Sequence, residues 1–468
     1  MALIPIYTWN KSILAINKRS KRLSRQPWFQ GVLLLICVVL AMLLANLPLT
    51  SHYYHSLLET EIQIHFASPN GTVDFMFPKD MTVEKFINDI LMVIFFFTVG
   101  LEIKREVAHG ELSSVKKALL PVIAAFGGVV MPAVIFTLVN HGTAASSGWG
   151  IPTATDIAFA VCILSMLSEK VPVSLKVFLT ALAIADDLIA ILVVAFFYGG
   201  KINLVLLSVA LGVILFTLLL RKLGDKHMFP YVFCSILVWI LFYYSGIHAT
   251  MSGVVMAFII PARPRYNKSQ YFHKRNRYIA KIDAYDGIDN EPFPNGPQRH
   301  CLRKLQKVAH GSMDMSYRVE HSLGPWVNFL IMPIFALANA GVQIKDPALF
   351  NVFSFDPVLG GVSLGIFLGL LIGKPLGITL FSWIAIKLKI CAMPQKSNWP
   401  LFFAVACLGG IGFTMSIFVD TLSFSDQAPE IMERLRDAGK IAVLLGSVSA
   451  GALGSLLINI VSHSSGSN

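Results

Sequence analysis

Two adjacent aspartates interrupt one of the most apolar stretches of this chain. Asp186 and Asp187 lie in the middle of residues 179–198, where almost every other residue is apolar. A helix of about 20 residues crosses the roughly 30 Å hydrocarbon core of a membrane, because it rises about 1.5 Å per residue. Each charged aspartate at the centre of such a helix costs about 3 kcal/mol. Carboxylates retained there are candidates for binding protons or a small hard cation.

Two further ionisable residues lie in apolar segments. Asp156 occurs in the short segment 148–167, and Lys374 occurs in a glycine-rich one. Neighbouring helix positions are about 100° apart, so Asp186 and Asp187 cannot face the same partner. One of them is expected to pair with Lys374, while the other faces a cavity shared with Asp156. The alternative is an ion-pair network that only holds the helices together.

Clustered carboxylates in a poorly solvated cavity titrate as a coupled set. They can hold protons near neutral pH or, when ionised, offer hard oxygen ligands to a cation such as Na⁺. Na⁺ and H⁺ then compete for one site. If that site opens alternately to each side of the membrane, the competition is sufficient for exchange.

Composition indicates a polytopic membrane protein. The chain has 468 residues, of which 55% are hydrophobic and 14% charged, and its mean hydropathy is +0.66. The net charge of +11 comes from short basic clusters between apolar segments, which is typical of cytoplasmic loops and not of nucleic-acid binding. The six cysteines occur singly, without metal-ligand spacing, and we expect no cofactor.

The apolar segments predict about twelve transmembrane helices, at roughly 29–49, 83–107, 118–139, 148–167, 179–198, 203–220, 229–243, 247–261, 325–340, 360–386, 399–419 and 439–460. The basic loops alternate along the chain as required if both termini are cytoplasmic. We therefore predict a basic N-terminal segment 1–27, eight helices in 28–261, a cytoplasmic insert 262–318, four helices in 319–462 and a tail 463–468.

Two of these segments carry helix-weakening residues. Glycine and proline occur early in 148–167, and 407–418 contains three glycines and two hydroxyl residues. Paired interruptions of this kind, one in each half of a transporter, indicate inverted-topology repeats with a binding site at the membrane midplane. The predicted fold class is therefore an all-α polytopic membrane protein with two unwound helices that cross at the midplane.

Two polar segments lie outside the predicted helices. Alternating apolar residues flank Pro69-Asn70-Gly71, which predicts a small extramembrane β-hairpin at about 59–78, although a plain loop is the alternative. Because an isolated hairpin is barely stable, we expect it to pair with a second protomer. The insert 262–318 is expected to be mobile or only partly folded.

Seven motifs in order resemble the NhaA family of bacterial sodium/proton antiporters. They cover most of 28–460 and begin at Ile87, Gly150, Ala185, Ser245, Phe335, Gly373 and Gly410. The resemblance implies an electrogenic antiporter of the bacterial inner membrane. It would export Na⁺ or Li⁺ in exchange for protons and serve sodium and pH homeostasis. The hairpin would correspond to the family's homodimer contact.

The resemblance also implies residue roles. Asp186 and Asp187 match the paired site aspartates that bind Na⁺, the second as the principal ligand. Thr155 and Asp156 match the unwound-helix pair that compensates the half-helix ends and borders the site. Lys374 matches the lysine that pairs with the first aspartate.

Residues matching the family's pH-response region are Glu102, Arg105, Glu106, His248, Arg318, Glu320 and His321. Taken alone, such surface charges are typical of solvated helix ends. This chain also departs from the family here: Gly324 replaces a common histidine, and the loop before Arg318 is long. Both differences affect the expected pH set point and not the transport site.

Three other functions fit less well. An intramembrane aspartyl protease would place its acids on separate helices in a Gly-x-Gly-Asp context, which the sequence lacks, and it would not explain Lys374. A sodium-coupled symporter would need an organic-substrate pocket, and its sodium uptake would depend on a solute. A cation channel is disfavoured because the buried lysine repels cations.

Overall fold

The computed structural model describes residues 27–465, with gaps at 63, 68–73, 78–80, 201, 225–226, 263, 285–293, 345–350, 354 and 357–359. The first part consists mainly of helices α1 Pro27–Asn46, α2 Ser51–Glu59, α3 Val83–His109, α4 Val115–Val139, a 3₁₀ segment Ala144–Thr153, α5 Ile157–Met166, α6 Val173–Phe197, α7 Leu204–Lys222 and α8 Met228–Ser245. The remaining helices are α9 Thr250–Ile259, α10 Lys268–Asp283, α11 Gly296–Ser312, α12 Met315–Asn339, α13 Val362–Lys387, α14 Trp399–Leu408, α15 Phe413–Ser423 and α16 Pro429–Ser465.

Within these described residues, nine helices are long and apolar enough to span a membrane, and the number rises to 11 if two bent helix pairs are counted as spans. The chain is therefore a multi-pass membrane protein. The count is below the predicted twelve because the segment predicted at 247–261 forms only the 10-residue helix α9. A helix of that length covers about 15 Å, half of the hydrocarbon core.

The chain divides into two compact units. One consists of residues 1–92, 106–200 and 328–468, and it contains both bent helix pairs. The other consists of residues 93–105 and 201–327, and it contains α7 to α11. Its apolar core includes Tyr231 and Met256, both fully buried.

Glycines allow α4 and α13 to pack with their backbones in contact. Gly369, Gly373 and Gly377 recur every fourth residue and so lie along one face of α13. A Cβ atom at Gly377 would lie 2.1 Å from the carbonyl oxygen of Gly127 on α4. Only glycine permits this approach, which explains the small-residue pattern of the segment.

The two bent spans break where the sequence weakens the helix. The 3₁₀ segment contains Pro152 and is followed by α5 at an angle of 42°. Helices α14 and α15 meet at 53°, across residues 409–412, three of which are glycines. The breaks contact each other, since the Asp156 N–H donates to the Ile411 carbonyl at 2.7 Å. Backbone groups that a continuous helix would satisfy are thus satisfied between the two breaks.

Outside the helices, the described residues contain two short strands. β1 Ile64–Ala67 pairs antiparallel with β2 Asp74–Phe77, with Ile64 opposite Phe77. A further bridge joins Glu61 to Thr82 and continues the pairing toward α3. These strands lie in the segment where the sequence predicts a hairpin, and the connecting residues 68–73 are outside the described part.

The insert predicted as a partly folded polar loop is largely helical. Asn267 caps α10 and Asn295 caps α11, each in a capping box that glutamine completes three residues later, at Gln270 and Gln298. The two helices pack against each other. Their strong polarity concealed them from a search for apolar spans, but the repeated Asn-x-x-Gln spacing is a recognisable helix-start signal.

Candidate cation site

A buried ion pair joins α6 to α13. The ammonium of Lys374 lies 2.5 Å from Asp186 Oδ2, and both side chains are almost fully excluded from solvent, at 0% and 3% exposure. The same ammonium donates a hydrogen bond to the Thr155 hydroxyl. Asp186 Oδ1 has no hydrogen-bond partner within the described part of the chain. One oxygen of this carboxylate is thus committed to the lysine and the other remains available to a ligand.

The local conformation of α13 positions Lys374. A π-helical turn, Gly369–Gly373, directly precedes the lysine, and Pro375 follows it. Proline lacks a backbone N–H, so it disturbs the regular hydrogen-bond pattern, and a π turn accommodates such a disturbance. The glycines of this turn also allow close packing, because a Cβ atom at Gly369 would lie 2.7 Å from the Pro152 side chain.

Asp156 lies at the N-termini of two half-helices. Its Oδ1 accepts a hydrogen bond from the Phe159 N–H at 3.3 Å and thereby caps α5. Its Oδ2 accepts from the N–H of Thr414 at 3.1 Å, and also from the Thr414 hydroxyl. Helix N-termini carry partial positive charge, so a carboxylate between two of them is electrostatically favoured.

Thr155 links Lys374 to the C-terminal end of helix α14. Its hydroxyl accepts from Lys374 and donates to the Gly409 carbonyl at 2.8 Å, at the C-terminal end of α14. Carbonyls at a helix C-terminus carry partial negative charge. The positive charge therefore lies near a carbonyl end, and the negative charge of Asp156 lies near amide ends.

Asp187 occupies the next position on α6 and is 3% exposed. Its charge acts on Lys374, as does that of Asp186. A carboxylate oxygen of Asp186 and the Thr155 hydroxyl thus contact one ammonium, and such hard oxygen groups suit small hard cations. Nowhere in the described residues do three or more His, Cys, Asp or Glu side chains form a metal-binding group.

Some residues around the breaks were not identified from the sequence. Ser447 on α16 accepts hydrogen bonds from the N–H groups of Gly412 and Phe413, at 3.2 and 3.1 Å, and so caps α15. Asp420 is fully buried on α15, and neither of its carboxylate oxygens has a hydrogen-bond partner in the described ranges. Asp420 directly follows the predicted span 399–419, where an acid is typical of a loop, and Ser447 is one of several serines among small residues, so neither had a signal in the sequence.

The predicted pH-response residues fall into separate places. Arg105 donates to Glu320 and lies 3.8 Å from Glu102, so these three form one charge cluster. The His321 ring stacks on Tyr317 with centroids 5.6 Å apart. In the other unit, Glu106 accepts the N–H of Glu111 at 3.1 Å.

His248 is not part of that charge cluster. It lies just before α9, whereas Lys104, adjacent to the cluster, binds the carbonyls of Ala257, Phe258 and Ile260 at the far end of α9. About ten residues of α9, or roughly 15 Å, separate His248 from the carbonyls that Lys104 binds. Gly324 faces open space, because a Cβ atom there would meet no atom within 4 Å.

Comparisons with known proteins point to one family. A family described as Na⁺/H⁺ antiporter 1 matches residues 21–458. The chain is 40% identical to "Na(+)/H(+) antiporter NhaA 2" of Syntrophotalea carbinolica, over 91% of this chain and 92% of that protein. It is 39% identical to "Na(+)/H(+) antiporter NhaA" of Wolinella succinogenes, over 92% and 91% of the two chains, and 39% identical to that of Sulfurimonas denitrificans, over 97% and 98%.

Proposed function

The chain belongs to the Na⁺/H⁺ antiporter 1 family, and on that premise we propose that it exchanges Na⁺ or Li⁺ for protons at its buried aspartates. Members named as Na⁺/H⁺ antiporters are secondary transporters, and the chain is therefore a transporter and not an enzyme. The finer mechanism is our inference. The observation that carries it is the buried ion pair of Lys374 and Asp186, next to Asp187 and Thr155.

The pair supplies a reason for cation and proton to exclude each other. An incoming Na⁺ needs carboxylate oxygens, and Asp186 can offer both of its oxygens only when Lys374 releases it. Release leaves a buried ammonium, and that charge is unfavourable beside a bound cation. Loss of a proton from Lys374 removes the conflict. Asp187, the proposed principal cation ligand, must also give up a proton before it binds Na⁺. Binding of one Na⁺ is thereby coupled to release of two protons, one from Lys374 and one from Asp187.

Asp156 is proposed to act as a fixed counter-charge that borders the site. Its carboxylate already accepts hydrogen bonds from Phe159 and Thr414, so it is less available for ligation than Asp186. Hydrogen bonds between the two helix breaks would let the half-helices move together when the site opens to the other side. We propose this movement as the alternating-access step.

Release of more than one proton per Na⁺ makes the exchange electrogenic. The membrane potential would then drive it, at about 2.3 kcal/mol per charge for every 100 mV. In this proposal the protein lies in the bacterial inner membrane with both termini cytoplasmic, as the basic loops indicate. It exports sodium and admits protons, which serves sodium and pH homeostasis.

We propose a homodimer that uses the two extramembrane strands. β1 and β2 pair along one side of each strand, and the other side of one strand could pair with a second copy. Cross-linking of cysteines introduced at Thr82 in full-length protein would test this, because Thr82 lies in the adjacent bridge. A specific dimer product is expected, and its loss on disruption of the strands would support the contact. A monomer in lipid at all concentrations would contradict it.

We further propose that Glu102, Glu106, His248, Glu320 and His321 contribute to the pH response. The Arg105–Glu320 pair is partly exposed and is therefore in contact with the adjacent solution. Substitutions here should shift the pH profile of exchange without abolishing it. Complete loss of exchange at every pH in Glu320→Gln would contradict this regulatory role.

The deciding experiment measures proton movement in everted membrane vesicles with a dye that reports the pH gradient. NaCl, LiCl or KCl is added over a range of pH, for the wild type and for Asp187→Asn. We expect dequenching by Na⁺ and Li⁺ that the variant loses while remaining folded. Retained exchange in Asp187→Asn would refute the site. A response that requires an organic solute would instead support a symporter.

A further inference from the structure

The helical insert and the segments beside it surround a basic cavity of about 710 Å³. Its lining comes from four places in one unit: the stretch after α9, helix α10, helix α11 and the start of α12. The basic lining residues are Arg265, Lys274, Lys304, Lys307, His310 and Arg318. We call these six residues the basic cavity cluster. The described lining contains no Asp or Glu.

Several contacts hold the cluster in place. The Gly311 carbonyl accepts hydrogen bonds from the N–H groups of Arg265 and Tyr266, at 2.8 and 3.0 Å, and so ties the stretch after α9 to the end of α11. The Lys274 ammonium lies 4.0 Å from the centre of the Tyr266 ring. Arg318 contacts His310 Nδ1 at 2.6 Å. All four lining segments are therefore connected by specific interactions before any ligand binds.

The cavity lies close to the ends of membrane-spanning segments. Pro261 and Met315 both line it; Pro261 follows the apolar helix α9, and Met315 begins the candidate span α12. Lipid headgroups occur at this level of a membrane. Ligands dissolved in the adjoining solution can also reach it, since Lys304 and Lys307 are exposed.

We propose that the basic cavity cluster binds a phosphate group, carried either by an anionic lipid headgroup or by a soluble phosphorylated compound. A phosphate has several strong acceptor oxygens, and arginine and lysine donate charge-assisted hydrogen bonds to them. Donors converging from four segments suit a group that accepts from several directions. The volume exceeds what a single halide ion needs and falls in the range of small-molecule sites.

The ligand also relieves repulsion within the cluster. Five Lys and Arg side chains line one cavity, and water only partly screens charges at such separations. A bound dianion lowers this energy. Ligand binding should therefore raise the thermal stability of the unit that contains α10 and α11.

The test uses the full-length protein in nanodiscs and two double variants with equal charge changes. Lys304→Ala with Lys307→Ala removes two lining ammonium groups. Lys281→Ala with Arg303→Ala removes two charges from the same helices outside the lining, and both of these residues are exposed. Melting temperature and calorimetric titration are measured for each protein at fixed salt.

One arm titrates glycerol phosphate, with inorganic phosphate in parallel, into protein in zwitterionic nanodiscs. The other arm compares zwitterionic with phosphatidylglycerol nanodiscs without soluble ligand. We expect stabilisation in at least one arm, about tenfold weaker binding in the lining variant, and wild-type behaviour in the control variant. The arm that responds identifies the source of the phosphate.

Two results would overturn the proposal. If neither arm stabilises the wild type, the cavity has no phosphate ligand of this kind. If the control variant weakens binding as much as the lining variant does, only diffuse positive charge attracts the anion. Both readouts are independent of transport, so a protein inactive in exchange could still show specific phosphate binding.

Discussion

Removal of one member of the buried pair should destabilise the protein in a way that depends on pH. In Lys374→Met, Asp186 loses the ammonium at 2.5 Å and must either remain charged in an apolar site or take up a proton. Because Asp186 can avoid the buried charge by taking up a proton, the free energy of that protonation is the upper limit of the loss of stability. For a carboxyl with an ordinary pKa of about 3.9, that limit is about 4 kcal/mol at pH 7 and about 2 kcal/mol at pH 5.5.

Asp186→Asn should show the opposite dependence on pH. It leaves the ammonium of Lys374 buried without its carboxylate, and the lysine can lose its proton instead. For a lysine with an ordinary pKa of about 10.4, the limit is about 4.5 kcal/mol at pH 7 and about 2 kcal/mol at pH 9. The folded Lys374→Met protein binds more protons than its unfolded chain, so its relative stability falls as pH rises. For Asp186→Asn the relation is reversed, so its relative stability rises.

The double variant Asp186→Leu with Lys374→Met removes both charges. Since apolar replacement of a complete buried pair is often neutral or stabilising, it should melt close to the wild type. Melting temperatures in detergent at pH 5.5, 7 and 9 would measure all three variants, with Lys387→Met at the end of α13 as a control for loss of a lysine. If the two single variants lost the same stability at every pH, the argument would be refuted. It would also be refuted if the double variant lost as much stability as the two single variants together.

Other changes test the packing and capping contacts. Gly377→Ala places a Cβ atom 2.1 Å from a backbone carbonyl and should lower the stability by about 1–3 kcal/mol or more, whereas Gly212→Ala meets no atom within 4 Å and should be tolerated in the same thermal assay. Thr414→Val removes a hydroxyl donor to Asp156 and should cost about 1.5–3 kcal/mol; Thr414→Ser should restore most of it, and equal melting of the two variants would contradict the role of the hydroxyl. Asp420→Asn should leave the melting temperature unchanged or raise it, because neither carboxylate oxygen has a hydrogen-bond partner among the described residues. A marked loss of stability would show that the Asp420 carboxylate has such a partner.

Features encoded by local sequence were predictable. Long apolar segments predict helices directly, because a segment that crosses the lipid must form its backbone hydrogen bonds within itself. The bends also occur where glycine and proline interrupt those segments. Even the positions of the two bends follow from residue types within about ten positions of Asp156 or Gly410.

Contacts through backbone groups of distant segments were not predictable from one sequence. Thr155 and Gly409 are separated by 254 positions, and the hydrogen bond between them uses a backbone carbonyl, which any residue carries. The cap that Ser447 provides to α15 has the same origin. The short helix α9 was overestimated because apolar residues continue past its end, where Ile260 adopts a non-helical conformation.

The insert 262–318 contains two helices that a search for apolar spans does not detect. Helices α10 and α11 are too polar to span a membrane, so a search for apolar spans assigns this segment to a loop. Their stability has other sources: reciprocal capping at both N-termini and packing of one helix on the other. A search for capping boxes in polar segments would have identified both helices.

In the proposed mechanism, the arrangement of charges around the breaks reconciles stability with exchange. Asp156 faces two helix N-termini and Lys374 is linked through Thr155 to a helix C-terminus, so both charges are stabilised by backbone dipoles. Asp186 differs, because its stabilisation depends mainly on one lysine that can lose a proton. A site in which every carboxylate had several fixed donors would bind protons and cations weakly. In the proposed mechanism, confinement of the adjustable contact to one ion pair lets the cation compete there, while the hydrogen bond between the two breaks stays intact.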